Sequence, residues 1–208
     1  MKTHTNNIST IIFDLSEVYL KGLLGTHILI SKEISESVSM DALNIPEQLQ
    51  LFAGKISEEE FWTAVLKRNK WPLTVGDLIN LVRDNFQEIE GTRNVIESLQ
   101  SQGYNLGLLS IHAKEWVDYL ESKFNYHKLF NQISYSYYPW SKMKPDLLAY
   151  QDILKKMDSS PERSVFIDDI ELNLFPAKKL GMQTIQFQSV ERLISDLETS
   201  GVSIEESD

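Results

Sequence analysis

The stretch Ile11-Ile12-Phe13-Asp14-Leu15-Ser16-Glu17-Val18 decides how this chain is read. An apolar, β-branched run breaks off at a carboxylate, the pattern of a buried parallel strand whose carboxyl end opens into a site. In open α/β sheets ligands bind outside those ends, which puts Asp14 where chemistry is done. One strand end alone does not separate this from a polar residue that merely closes a strand. The question turns on whether other strand ends carry complementary groups to the same place.

A second apolar run ends in acid at Ser164-Val165-Phe166-Ile167-Asp168-Asp169. Adjacent carboxylates repel and raise each other's pKa unless a cation or hydrogen-bond donors offset them. A hard divalent cation with oxygen ligands is the economical explanation, and Mg²⁺ takes few carboxylates together with water and phosphate. Asn173 falls at the start of the next helix, where its amide can orient one carboxylate. Pro176 is tolerated if that helix starts near Asn173, and Gly181 closes it. Met182 to Phe187 reads as a final strand, followed from Glu191 by an amphipathic helix and an acidic tail expected to fray beyond Gly201.

Between the two acidic ends, Thr92 to Gln102 reads as a helix stopped by Gly103, and Tyr104 to Leu109 as a strand ending in Ser110. That hydroxyl either caps the helix expected from Ala113 to Phe124 or faces the site. Ile133 to Tyr138 alternates enough for a strand before Pro139-Trp140 breaks it; the tyrosines and Trp140 read as packing and loop aromatics. Lys142-Met143-Lys144-Pro145-Asp146 precedes a helix from Leu147 to Met157. Pro145 is expected at its first position, with Lys144 biased to extended backbone, from which it can point along the sheet edge.

Residues from about Leu20 to Glu88 carry helical patterning instead. Ser57-Glu58-Glu59-Glu60 matches a capping box, followed by Phe61, Val65 and Leu66 at helical spacing, and Thr74 to Phe86 opens another helix after the Trp71-Pro72 break. About 70 residues of helix are too many for a simple crossover between two strands of one sheet. The expected organisation is a Rossmann-like parallel-sheet core, 1–19 and 89–208, with an inserted helical cap domain, 20–88.

With 208 residues and 42% hydrophobic content, one such domain and its insertion bury a sizeable core. A net charge of -10 repels phosphate backbones and argues against nucleic-acid binding. There are no cysteines, hence no disulfide framework or thiolate chemistry. Residues 1–10 lack the apolar core of a signal peptide, and no apolar run approaches the ~20 residues of a membrane span, so a cytoplasmic location is expected. The sequence carries no signal for an oligomeric state.

Four strand-end signals now stand in order: Asp14, Ser110, Lys144 with Pro145-Asp146, and Asp168-Asp169. In that ordered set, with Asn173 and Gly181 beyond, nearly the whole chain resembles the haloacid-dehalogenase-like (HAD) hydrolase superfamily, and the helical insertion resembles the small cap of its phosphatase-like branch. The resemblance implies a Mg²⁺-dependent phosphatase acting on a small phosphorylated metabolite. Asp14 would be the nucleophile. Ser110 and Lys144 would bind the phosphoryl oxygens, with Lys144 also fixing the charge of Asp14. The Asp14 carboxylate, the Ser16 main-chain carbonyl and Asp169 would hold the metal, Asp168 through water or from behind the ligands, and Asn173 would orient.

One position departs from the family pattern. Most of its phosphatases carry, two residues after the nucleophile, a second aspartate that protonates the leaving group and then activates water; here that residue is Ser16. A serine hydroxyl cannot do this near neutral pH. Glu17 and His112 adjoin site residues and are the candidates to replace it, against a plain loop role for each. Two alternatives follow: a weakly active or non-catalytic phosphate-binding protein, or a 2-haloacid dehalogenase. Against the latter, those enzymes need no metal and typically lose the acid pair.

Overall fold

The computed structural model describes residues 8–139 and 141–204. Five parallel strands, β1 (Thr10–Phe13), β2 (Asn105–Ser110), β3 (Gln132–Tyr135), β4 (Ser164–Asp168) and β5 (Gln183–Gln186), lie in the order β3-β2-β1-β4-β5. β1 is central, pairing Phe13 with Leu108 on one side and with Ile167 on the other. Its all-apolar sequence follows from burial on both faces. Ile11 and Phe13 pack into one apolar cluster, and Ile12, pointing the other way, packs into a second with Tyr150, Ile153 and Phe166. This is the expected Rossmann-like α/β sheet between helices.

Gly107 in β2 marks a close approach. A Cβ there would stand 2.6 Å from the Met157 Sδ, so a side chain would force the Met157 side chain, at the end of the helix behind the strand, to move. That helix is α7 (Leu147–Lys156), which is nevertheless not started by Pro145 as expected: Asp146 is its N-cap, its carboxylate accepting from the Leu148 N–H at 3.0 Å. Asp is a better cap than Pro is a starter here because it satisfies an orphan donor.

The helix after β4, α8 (Glu171–Leu180), begins two residues earlier than expected, so Pro176 lies inside it, and Gly181 closes it in a left-handed conformation (φ 97°). β3 stops at Tyr135, shorter than the alternation to Tyr138 implied. The last helix, α9 (Val190–Thr199), is capped by Ser189; beyond Gly201 the chain does not simply fray, since Val202 is buried in the main apolar cluster. Residues 205–208 of the acidic tail, residues 1–7 and Trp140 lie outside the described residues.

Between β1 and β2 the chain forms α1 (Thr26–Ile34), α2 (Pro46–Phe52), α3 (Glu58–Asn69), α4 (Val75–Asn85) and α5 (Thr92–Ser101). α3 starts at the capping box read from sequence, with the Glu60 N–H donating to Ser57 Oγ and the Ser57 N–H donating to Glu60. α4 starts at a second box, Thr74 with Asp77. The chain enters and leaves this segment side by side: the Lys21 N–H donates to the Gln87 carbonyl at 2.8 Å and the Ile89 N–H to the Tyr19 carbonyl at 2.9 Å. Phe61, Trp62, Val65, Leu78 and Val82 share one apolar cluster with Trp116 and Leu120 of α6 (Lys114–Phe124). No helix among the described residues is long and apolar enough to cross a membrane.

Candidate active site

Asp14 is the last residue of β1 held by the sheet, its N–H donating to the Ile167 carbonyl at 2.9 Å. The next N–H, of Leu15, folds back onto Asp14 Oδ1 at 2.7 Å. Lys144, in the loop before α7, is only 4% exposed. Its Nζ lies 2.9 Å from Asp14 Oδ2 and 2.6 Å from Asp168 Oδ2, so it bridges the ends of two neighbouring strands.

Asp168 is enclosed completely. Asn173 donates its amide to both carboxylate oxygens, at 2.9 and 3.2 Å, and the Ile170 N–H donates to Oδ1 at 2.9 Å. With Lys144 on Oδ2, both oxygens are engaged by the protein itself. Tyr150 in turn donates its hydroxyl to the Asn173 carbonyl at 2.6 Å, fixing the first turn of α8.

Asp14, Asp168 and Asp169 each offer a carboxylate oxygen within 4.8 Å of the others. Three carboxylates facing one ammonium leave two negative charges, and oxygen-only donors suit a hard divalent cation. The titration of the groups carries the same message. Burial pushes the Asp14 carboxyl up, the Asp168 charge adds to it, and Lys144 only partly opposes. Asp169 is pushed up to about 6 by burial and then by Asp168. For Lys144, burial favours the neutral amine, but Asp14 and Asp168 outweigh it and hold the ammonium. The donor set fits a divalent cation.

Ser110 ends β2 beside Asp14, and its Oγ is buried with no hydrogen-bond partner among the described residues. It does not cap α6: the N-cap there is Ala113, without a side-chain bond. Ser110 is only 2% exposed and is not one of the residues lining the cavity above Asp14. Ser16 and Glu17 both line the cavity above Asp14. Glu17 is committed elsewhere, accepting from the Gly22 N–H at 2.8 Å in a left-handed backbone conformation (φ 58°). His112 is buried, its Nδ1 has no partner among the described residues, and burial pushes its pKa down to about 4. His112 is therefore no ready proton donor at neutral pH, whereas burial raises the Glu17 carboxyl above its ordinary value.

The cavity has a volume of about 310 Å³. Its floor is Asp14, Ser16, Glu17, Lys144, Asp169 and Asn173; its walls are Leu23, Gln48, Phe52, Ile111, His112 and Trp116, with Leu24, Met40 and Ile170 at the rim. Of the walls, sequence reasoning singled out only His112. They and the rim's Leu24 and Met40 come from α2, from the segments before and after α1, from the β2–α6 connection and from α6 itself, and only the fold brings these together. Ser136 is a second omission: it accepts from the His112 N–H at 3.1 Å and donates to the Phe52 carbonyl at 2.7 Å, tying one wall to the sheet.

A family model of haloacid dehalogenase-like hydrolases matches residues 11–187. Among curated proteins the chain is 24% identical over 157 residues to flavin mononucleotide hydrolase 1 of Arabidopsis thaliana, covering 73% of this chain and 60% of that protein's length. Among solved structures, a predicted HAD-like family hydrolase from Porphyromonas gingivalis superposes with a TM-score of 0.72 at 24% identity, over 93% of this chain and 97% of that one. A HAD family enzyme from Bacteroides thetaiotaomicron, solved with magnesium and inorganic phosphate, gives 0.69 at 21% identity, over 88% and 95%. With the family match spanning every strand of the sheet, this chain belongs to the haloacid dehalogenase-like hydrolases.

Proposed function

We propose that this hydrolase is a Mg²⁺-dependent phosphatase of small phosphorylated metabolites that works through an aspartyl-phosphate on Asp14, with residues 20–88 as the cap over the site. The observation that carries this reading is Asp14 held by Lys144 at 2.9 Å, open to the cavity, beside an acid pair whose charge the protein leaves partly unbalanced. The magnesium and phosphate bound by the Bacteroides structure, and the naming of the Arabidopsis relative as a flavin mononucleotide hydrolase, point the same way. The chain spans 60% of the length of that relative, and flavin mononucleotide is one substrate to test.

In the first step an Asp14 carboxylate oxygen attacks phosphorus; the new O–P bond forms as the bond to the alcohol oxygen breaks, and the electron pair leaves with that oxygen. Lys144 and the Ser110 hydroxyl, which has no partner among the described residues, hold phosphoryl oxygens as charge shifts across them. When bound, Mg²⁺ supplies positive charge between the nucleophile and the phosphoryl group. Asp14, the Ser16 carbonyl and Asp169 would hold it. Asp168, its oxygens already taken by Lys144, Asn173 and Ile170, acts from behind. Water then attacks phosphorus, the acyl-phosphate bond breaks, and inorganic phosphate leaves with Asp14 restored.

Asp14→Asn keeps the shape and removes the attacking charge, so no phosphoenzyme should be trapped and release of phosphate should stop. Asp169→Ala should lose Mg²⁺-dependent turnover while its far-UV circular dichroism stays that of the wild type. Undiminished Mg²⁺-dependent turnover in either variant would sink the assignment. The second reading, a phosphate-binding protein with little turnover, is favoured by Ser16 and by the commitment of Glu17 to Gly22. It predicts orthophosphate binding with no release from any ester.

A further inference from the structure

The cavity is divided by chemistry. Every charged group lies on its floor, and the walls above are hydrocarbon or aromatic apart from Gln48 and His112. A polyhydroxylated alcohol, such as a sugar, would bury several hydroxyls against those walls without partners, each at a cost. A flat apolar ring would lose nothing there.

The aromatic wall is held rigidly. The Trp116 indole N–H donates to Glu58 at 2.6 Å, and Phe52, whose carbonyl is held by Ser136, meets the Trp116 ring edge-on at 6.0 Å between centroids. His112 stands perpendicular to the same indole at 5.7 Å. Such side chains offer contact area at little further ordering cost. A separate observation comes from the mouth. Leu24, Met40 and Ile170 are 54%, 41% and 51% exposed and all line the cavity, an apolar rim that a ligand would cover.

We propose that this site takes phosphate monoesters whose alcohol part carries a flat, apolar ring, seated between the Phe52–Trp116–His112 wall and the Leu24–Met40 rim. The proposal rests on the phosphatase reading for its chemistry and on the cavity alone for its selectivity.

Leaving-group acidity and ring recognition have to be separated, so the comparison is 2-phenylethyl phosphate against glycerol 1-phosphate, both esters of alkyl alcohols. With Mg²⁺ present, kcat/KM should favour the phenylethyl ester by about tenfold or more, mainly through KM. Phe52→Ser should shrink that ratio several-fold. Binding is read independently by calorimetry with 2-phenylethylphosphonate and ethylphosphonate, which have no ester bond to break. The ring should tighten binding by about tenfold or more, and Phe52→Ser should remove most of that gain. Equal affinities of the two phosphonates, or binding of neither, overturn the proposal. If 2-phenylethylphosphonate binds more tightly but no ester releases phosphate, the phosphatase reading falls and the ring pocket stands. If both esters are hydrolysed alike and both phosphonates bind alike, the pocket falls and the phosphatase reading stands.

Discussion

At position 16 a hydroxyl stands where a carboxylic acid is usual in phosphatases of this family, and general acid–base help is typically worth ~10²–10⁴-fold in rate. Esters with acidic alcohols should therefore be turned over much faster than those with alkyl alcohols. Ser16→Asp should narrow that gap by speeding the alkyl esters. The gain should fall short of the full range, since Ser16 is packed against Gly22, where even a Cβ would come within 2.8 Å of its Oγ. The measurement is kcat/KM against leaving-group pKa for both proteins; a flat dependence in the wild type with chemistry rate-limiting would show that another residue gives the proton. The neighbouring candidate Glu17 is explained by structure. Its left-handed backbone costs about 1–2 kcal/mol, offset by the bond from the Gly22 N–H. Asp14, Lys144, Asp168 and Asn173 were legible in the sequence because each stands where an apolar run or a helix begins or ends. That Ser110 has no hydrogen-bond partner among the described residues was not, since a free and a capping hydroxyl look alike in one dimension.

Among the elements, α3 illustrates both what the pattern conveys and what it withholds. Ser57 and Glu60 state where the helix begins, and it begins there. Nothing in Glu58-Glu59-Glu60 says that Glu58 alone is buried, accepting indole N–H bonds from Trp116 and Trp62 and pairing with Arg83 at 3.3 Å. Burial outweighs those donors and raises its pKa above 4.5. A raised folded-state pKa means that this residue's contribution is fully present below pH 4.5 and is lost as the pH rises through the folded value. Glu58→Gln cannot ionise. Whatever its offset at low pH, it should gain on the wild type in Tm as the pH climbs above 4.5. Parallel Tm curves for the two proteins would show that the Glu58 charge is fully compensated. Likewise Pro145 promised a helix start that Asp146 supplies, because an orphan N–H is better met by a carboxylate than ignored by an imide.

For the whole molecule, the order of strand ends in the sequence was enough to expect a parallel sheet, and the five strands have that arrangement. What joins the helical segment to the sheet was hidden, because Trp116 and Phe61 are 55 positions apart and carry no mutual signal in the sequence. Since both belong to one apolar cluster, the molecule should unfold in a single step. Tryptophan fluorescence and far-UV circular dichroism should then give coincident denaturant transitions, whereas a separate earlier fluorescence change would mean that the helices detach first.

The adjacent crossings at Tyr19–Lys21 and Gln87–Ile89 have an architectural consequence. Where a chain leaves a scaffold and returns to it one hydrogen bond away, everything between can be exchanged without moving the scaffold's ends. The graft point is thus already present, and a different helical segment could be spliced at Lys21 and Gln87 with the sheet's connectivity intact. The demand on any replacement is set by Trp116: it must bring its own apolar face and an acceptor for that indole, or the transplanted molecule will display an aromatic ring meant for the interior.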